Sequence, residues 1–287
     1  MTASSWVTAP GTWPGGSRAV VALTCDFDGT GNEVGLGFDP AGVRAAGGYS
    51  ARRGVRRMLE IFGRHDVSAT FFVPGYDAEQ NPEHVREIVN AGHEVAAHGY
   101  LHERWEVPPD EEEALLRRSH GILSDITGVA PLGWRSPGGM KSTRTMQVLR
   151  ELGYVYDSSD KDFDRPYPAI VGGTPSSEII ELPNNTSSLD DTPLYVEGAA
   201  LPSEVLALWE REFDSLYHES GYFLVTFHPR AGFGSGTPAR AQVIDRLIAH
   251  IKSYDQVEFV RLRDLAAWCL DPAHGFMAVE PRLGAWA

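Results

Sequence analysis

The stretch ALTCDFDGTG, Ala22 to Gly31, is an apolar run that ends in two aspartates one residue apart and then breaks on Gly-Thr-Gly. Extended upstream it reads AVVALTC over 19–25, short and continuously apolar, the pattern of a strand buried on both faces. Such strands belong to parallel sheets, whose C-terminal strand ends form the functional face. Asp26 and Asp28 are expected on that face. Two chemistries place carboxylates there. In one, the first aspartate is a nucleophile that takes up a phosphoryl group. In the other, one aspartate is a general base and its neighbour holds a metal ion.

Outward from this strand, short apolar runs alternate with helical patterns. ARRGVRRMLEIFGRH carries Val55, Met58, Leu59 and Phe62 at helical spacing, and VSATFFV follows as a second strand. Asn81-Pro82 reads as a helix start and Gly92 as a stop. HEVAA is the next strand. DEEEALLRRSHGILSDITG is a helix with Asp110 and Glu113 at capping-box spacing and Gly128 at its end. PLGWR is a strand, and STRTMQVLRELG a helix that Ser142 caps. The strands EIIEL, YFLVTFH and VEFVRL complete the series, with amphipathic helical stretches over 203–219 and TPARAQVIDRLIAHIKS, and a short terminal helix carrying Trp268. Seven or eight strands, each followed by helix or long loop, predict an α/β fold with a parallel sheet, open or closed into a barrel. The segments 29–48 and 157–200 are too long for plain connections and are expected to carry function.

At 287 residues the chain suits one domain of barrel size, 1–287, with 1–17 as an N-terminal arm. With 25 basic against 39 acidic residues, the net charge of −14 disfavours nucleic-acid or anionic-membrane partners. The first residues show no basic start followed by a long apolar stretch, and no run is long enough to span a bilayer, so a cytoplasmic enzyme is expected. Cys25 and Cys269 give no disulfide framework and no zinc-ribbon spacing.

Polar residues fall at the ends of four strands. Asp26 and Asp28 end the first, His98 and His102 of HGYLH follow HEVAA, Arg135 ends PLGWR, and His228 ends YFLVTFH. Two imidazoles and a carboxylate make a facial set for a divalent transition metal with positions left open. Asp28, His98 and His102 are that set, with His228 across the site. One ion is expected, zinc first, with cobalt, nickel, iron or manganese as alternatives. Such an ion acidifies its water from a pKa of about 16 to near 7, and a neighbouring carboxylate can take the proton.

TCDFDG, HGYLH, RSPGG and TFHP, in this order, resemble the motifs of the polysaccharide deacetylases (carbohydrate esterase family four) from about Arg18 to Trp268. The resemblance implies a distorted (β/α) barrel and a metal-dependent hydrolase of amide bonds. Carried over by position, it implies Asp26 as general base, Arg135 orienting it, Asp28, His98 and His102 as metal ligands, and His228 as the acid that protonates the departing amine. Three features depart from the usual pattern. Phe27 separates the aspartates, Arg-Ser-Pro-Gly-Gly replaces Arg-Pro-Pro-Tyr-Gly, and the tryptophan-bearing fourth motif is not recognisable. WPGGSR, HGYLH and ELPNN look closer to a branch with allantoinase-like, imide-hydrolysing and peptidoglycan-deacetylase-like members.

Expected substrate contacts are Trp105 and Trp134, which adjoin the motifs and can stack on a ring, with Pro137, Gly138, Asp157 and Asp160. An intracellular amide, cyclic imide or N-acylated small molecule is the expected substrate, with an amino-sugar polymer such as peptidoglycan as the alternative. Loop 157–200 shapes the pocket or contacts a second subunit of a homo-oligomer. Two other classes compete. A haloacid-dehalogenase-type phosphatase shares Asp-x-Asp-Gly-Thr, but lysines are confined to Lys141, Lys161 and Lys252, and Asp190-Asp191 does not end a strand. A non-catalytic binding relative is disfavoured because every proposed catalytic position holds a competent residue.

Overall fold

The computed structural model describes residues 13–103, 107–184 and 188–276. Among these, nine strands form one sheet: β1 (Ala19–Asp26), β2 (Thr70–Val73), β3 (Glu94–Ala97), β4 (Gly133–Trp134), β5 (Tyr156–Asp157), β6 (Tyr167–Val171), β7 (Thr174–Glu181), β8 (Tyr222–Phe227) and β9 (Val257–Phe259). Their order is β6-β7-β5-β4-β3-β2-β1-β8, with β9 joined to β1. Every pairing is parallel except the β6–β7 hairpin. The sheet curls into a half-barrel flanked by helices, as a distorted (β/α) barrel requires.

β1 lies at the centre of this pairing. Along one edge Val20–Cys25 pair with β8. Along the other, Ala19–Val21 pair with β9 and Thr24–Asp26 with β2. Strand alternation then sorts its side chains. Val21, Leu23, Cys25 and Phe27 enter the larger core, whereas Val20 and Ala22 join a second core with Phe72, Tyr156, Ile180 and Leu224. Thr24 and Asp26 follow the even-numbered face, so the strand carries its polar end into the concavity. Phe27 buries itself on the opposite side, which is why one residue separates the two aspartates.

The helices are α1 (Gly31–Gly35), α2 (Val55–His65), α3 (Gly75–Gln80), α4 (Pro82–Asn90), α5 (Pro109–Thr127), α6 (Thr143–Glu151), α7 (Asp191–Val196), α8 (Pro202–His218), α9 (Pro238–Ile251) and α10 (Leu262–Leu270). None of them is long and apolar enough to cross a membrane. On α2 the buried stripe is Val55, Met58, Ile61 and Phe62, with Leu59 only half-buried. Ser142 caps α6 in a capping box with Thr145, as expected. The expected cap of α5 is corrected. Pro109 occupies its first turn and Pro108 the cap position, so Asp110 lies within the first turn, where its charge still suits the helix N-terminus.

The segment 157–200 is also corrected. It is not one long loop, because residues 167–181 form the β6–β7 hairpin and 191–196 form α7. Gly172 and Gly173, with φ of 60° and 82°, make the tight turn between the strands, a conformation that glycine adopts without strain. Past β7 the chain crosses to the free edge of β8. There Asp190 bridges Thr226, and the Thr226 amide donates to the Leu189 carbonyl at 2.8 Å.

Candidate active site

Asp28 sits just beyond β1 on a loop fastened from two sides. Asp77 of α3 accepts from the Gly29 and Gly31 amides, each at 3.1 Å, and Ser50 Oγ donates to the Asp28 carbonyl at 2.6 Å. A Cβ on Gly29 would lie 2.2 Å from Asp77 Oδ1, so only glycine permits this clamp. Burial, and then the charge of Asp28, push the Asp77 carboxyl up to about 7. On the far side Arg230 donates to the Gly29 carbonyl at 2.6 Å and pairs with Glu33.

His98 follows β3, and its Nδ1 bonds the Arg135 carbonyl at 2.8 Å, which leaves Nε2 facing the carboxylates. Nε2 lies 3.6 Å from Asp28 Oδ1, and His102 Nε2 lies 3.5 Å from Asp28 Oδ2. His102 holds a left-handed backbone at φ 60°, a conformation that concentrates at functional sites in residues other than glycine. Burial lowers the His98 pKa to about 4, so this imidazole is neutral at pH 7, as a ligand must be. Ligand atoms of Asp28, His98 and His102 all lie within 4.8 Å of one another. Asp28 Oδ1 is buried with no hydrogen-bond partner, an uncompensated acceptor that a cation would satisfy. The donor set and this orphaned oxygen fit a divalent transition metal.

Arg135 reaches through the barrel from β4. Its Nη1 donates to Asp26 Oδ1 at 2.7 Å, Thr24 Oγ1 at 3.0 Å and Thr226 Oγ1 at 3.2 Å. Nε and Nη2 go to the Ser158 carbonyl and hydroxyl, and the guanidinium lies 4.0 Å over the Phe72 ring. Burial alone would raise the Asp26 pKa, but Arg135, His98 and His228 outweigh it and hold the carboxyl below its ordinary value. Across the site His228 Nδ1 bonds Asp191 Oδ1 at 2.7 Å, and Asp191 Oδ2 accepts from the His228 and Ser235 amides. His228 Nε2 faces Asp26 and Asp28 at 3.9 and 3.8 Å. Desolvation opposes its charge, yet Asp191 wins and raises the imidazole well above its ordinary pKa. Asp190, beside it, is pushed up to about 6, chiefly by burial.

These six side chains line one cavity of about 570 Å³, together with Asn32, Lys161, Asn184, Asp190, Glu197 and Phe233 among others. Of the expected substrate contacts, Gly138 lines the cavity. Pro137 is buried beside Gly99 and is not among the residues that line the cavity. Trp134 is a correction. It is fully buried in the larger core, because the alternation that points Arg135 inward turns its neighbour outward. Asp157 is likewise fully buried behind the site, where it meets Lys141 and Ser159, and Asp160 joins Lys141 at 2.8 Å. Trp105 lies outside the described residues. Sequence reasoning did not assign Asp191, the orienting partner of His228, although Asp190-Asp191 was visible as an acidic pair. It also gave no role to Lys161 or Phe233.

An α/β half-barrel that gathers two carboxylates, three imidazoles and a guanidinium at its C-terminal strand ends defines a hydrolase of the deacetylase type, acting on carbon–nitrogen bonds. The chain belongs to the polysaccharide deacetylase family, whose model (Polysaccharide deacetylase) matches residues 28–156. It is 30% identical to the peptidoglycan deacetylase of Helicobacter pylori over 86% of this chain and 94% of that protein. A crystal structure from Mycobacterium smegmatis, assigned there to the polysaccharide deacetylases, is 34% identical with a TM-score of 0.80, covering 91% of this chain and 93% of that one. The structure of Puue Allantoinase is similar too, at 25% identity and a TM-score of 0.81, covering 96% and 95%.

Proposed function

We propose that this protein is a metal-dependent hydrolase of non-peptide C–N bonds in which Asp28, His98 and His102 hold one divalent transition ion, zinc first. The observation that carries this reading is the buried, unpartnered Asp28 Oδ1 set among ring nitrogens of His98 and His102. When bound, the ion supplies Lewis acidity, the means of making water nucleophilic at neutral pH and of polarising a carbonyl. Asp26 is the general base. Arg135 keeps it ionised and fixes its orientation, so Oδ2 is left to accept a proton from water. His228 is the general acid, held protonated by Asp191 with Nε2 turned to the cavity to donate to the departing nitrogen. Asp26 and His228 thus have opposite tasks set by opposite neighbours.

The cavity is of small-ligand size, which supports an amide, cyclic imide or N-acylated small molecule as substrate. A second reading, N-deacetylation of an amino-sugar polymer, is favoured by the likeness to the Helicobacter pylori peptidoglycan deacetylase over nearly its whole length.

Metal stoichiometry tests the proposal. After dialysis against metal-free buffer and reloading, wild type is expected to hold close to one zinc ion per chain, and His102→Ala to lose it together with turnover of N-acetyl compounds and cyclic imides. Failure of wild type to rebind any added transition ion would overturn the ligand assignment.

A further inference from the structure

Lys141 and Lys161 flank the same acidic neighbourhood and have opposite surroundings. Lys141 is neutralised by Asp157, Asp160 and Glu181. Lys161 lines the active-site cavity, and no carboxylate of the described residues lies within ion-pair distance of it. Among the described residues its ammonium makes one hydrogen bond, a long one of 3.4 Å to the Ser159 carbonyl. Burial, and then the charge of Arg135, lower its pKa against the more distant pull of Asp190, Asp26 and Glu181, whereas the carboxylates in contact with Lys141 raise that group. Among the described residues the other fixed cation of the wall is Arg135, which is committed to Asp26, Thr24, Thr226 and Ser158. The backbone makes room for Lys161. Gly139 has φ 76°, and a Cβ there would stand 2.9 Å from Lys161 Nζ. Its neighbour Gly138 faces open space, with nothing within 4 Å of where a Cβ would be.

We propose that Lys161 is an anion subsite: the substrate carries a carboxylate that meets the Lys161 ammonium while its amide lies between Asp26 and His228. A single uncommitted ammonium suits a monoanion, since a phosphate dianion is ordinarily held by several charged or backbone donors. The inference rests on the hydrolase reading for the amide half of the substrate, and the carboxylate half can be tested separately.

Zinc-loaded protein is titrated calorimetrically with succinamate and with succinamide, which match in size and differ by one carboxylate. Wild type is expected to bind succinamate at least tenfold more tightly, Lys161→Met to lose that preference, and Lys161→Arg to keep most of it. In the kinetic arm, N-acetyl-β-alanine should be preferred over its methylamide, with the preference lost in Lys161→Met through KM and not kcat. Equal binding of the two titrants by wild type overturns the subsite. So does a preference that survives Lys161→Met, since another group then takes the carboxylate. A binding preference that depends on Lys161, without turnover of either N-acetyl compound, upholds the subsite and counts against the hydrolase reading for such amides.

Discussion

Asp191 shows how much a single side chain can set at this site. It spends one oxygen on the His228 ring and the other on the His228 and Ser235 amides, so it fixes both the orientation and the charge of the imidazole. Because Asp191 raises the His228 pKa most, ahead of Asp190 and Asp28, Asp191→Asn should lower it. The alkaline limb of kcat/KM against pH would then move to lower pH, and kcat would fall by about 10²–10⁴-fold, the worth of a positioned proton-transfer group. An unshifted limb would remove His228 from the acid role. At this scale, alternation along strands made Asp26, Asp28 and Arg135 legible, since an apolar run ending in a polar residue says which end carries chemistry. The same alternation, applied strictly, also turns Trp134 away from the cavity. Asp191 was not legible, because it ends no strand and reaches His228 only after the chain has crossed from β7 to β8.

Elements are held to the site by close backbone packing, and two glycines of one helical segment make the contrast measurable. A Cβ on Gly54, in the turn leading into α2, would stand 1.7 Å from the Pro229 carbonyl, the residue after His228. Gly63, within α2, is exposed and would meet nothing within 4 Å. Gly54→Ala should therefore destabilise by about 1–3 kcal/mol and depress activity by displacing the loop after β8. Gly63→Ala should stabilise by up to about 1 kcal/mol and leave activity alone. Denaturant titrations with parallel assays check both. The sequence made the long helices and buried strands readable through their periodicity. It hid β5, two residues long and too short for any period, whereas β4, just as short, fell inside the PLGWR run that reads as a strand. The hairpin was readable in principle from Gly172-Gly173 between extended runs, but β6 carries a proline and an exposed Ile170, which blunt its pattern.

The whole molecule carries its acid sensitivity in its core as well as at its site. His93 is buried between Phe62 and Phe71, and its Nδ1 accepts from the Ala69 amide, so the ring is neutral. Burial, aided by Arg261, lowers its pKa to about 4. The unfolded chain then binds the extra proton first. Stability is full above the unfolded value of about 6.5 and is lost as pH falls toward 4, by about 3 kcal/mol for this one group. His93→Gln should flatten that loss in denaturation curves taken at pH 7 and pH 4.5, and an unchanged slope would exonerate His93. Strand order was the least legible level, since no local pattern names a distant partner. Its consequence is kinetic. Thr24 and Thr226, which share Arg135, are 202 residues apart in the chain. At about 5–20 residues per second, the ribosome needs roughly 10–40 s to follow β1 with β8. Throughout that interval β1 lacks the neighbour that covers most of one edge, and the guanidinium lacks part of its cage. The candidate active site is thus completed only after β8 has been made, and its completion reports that every element from β1 to β8 is in place.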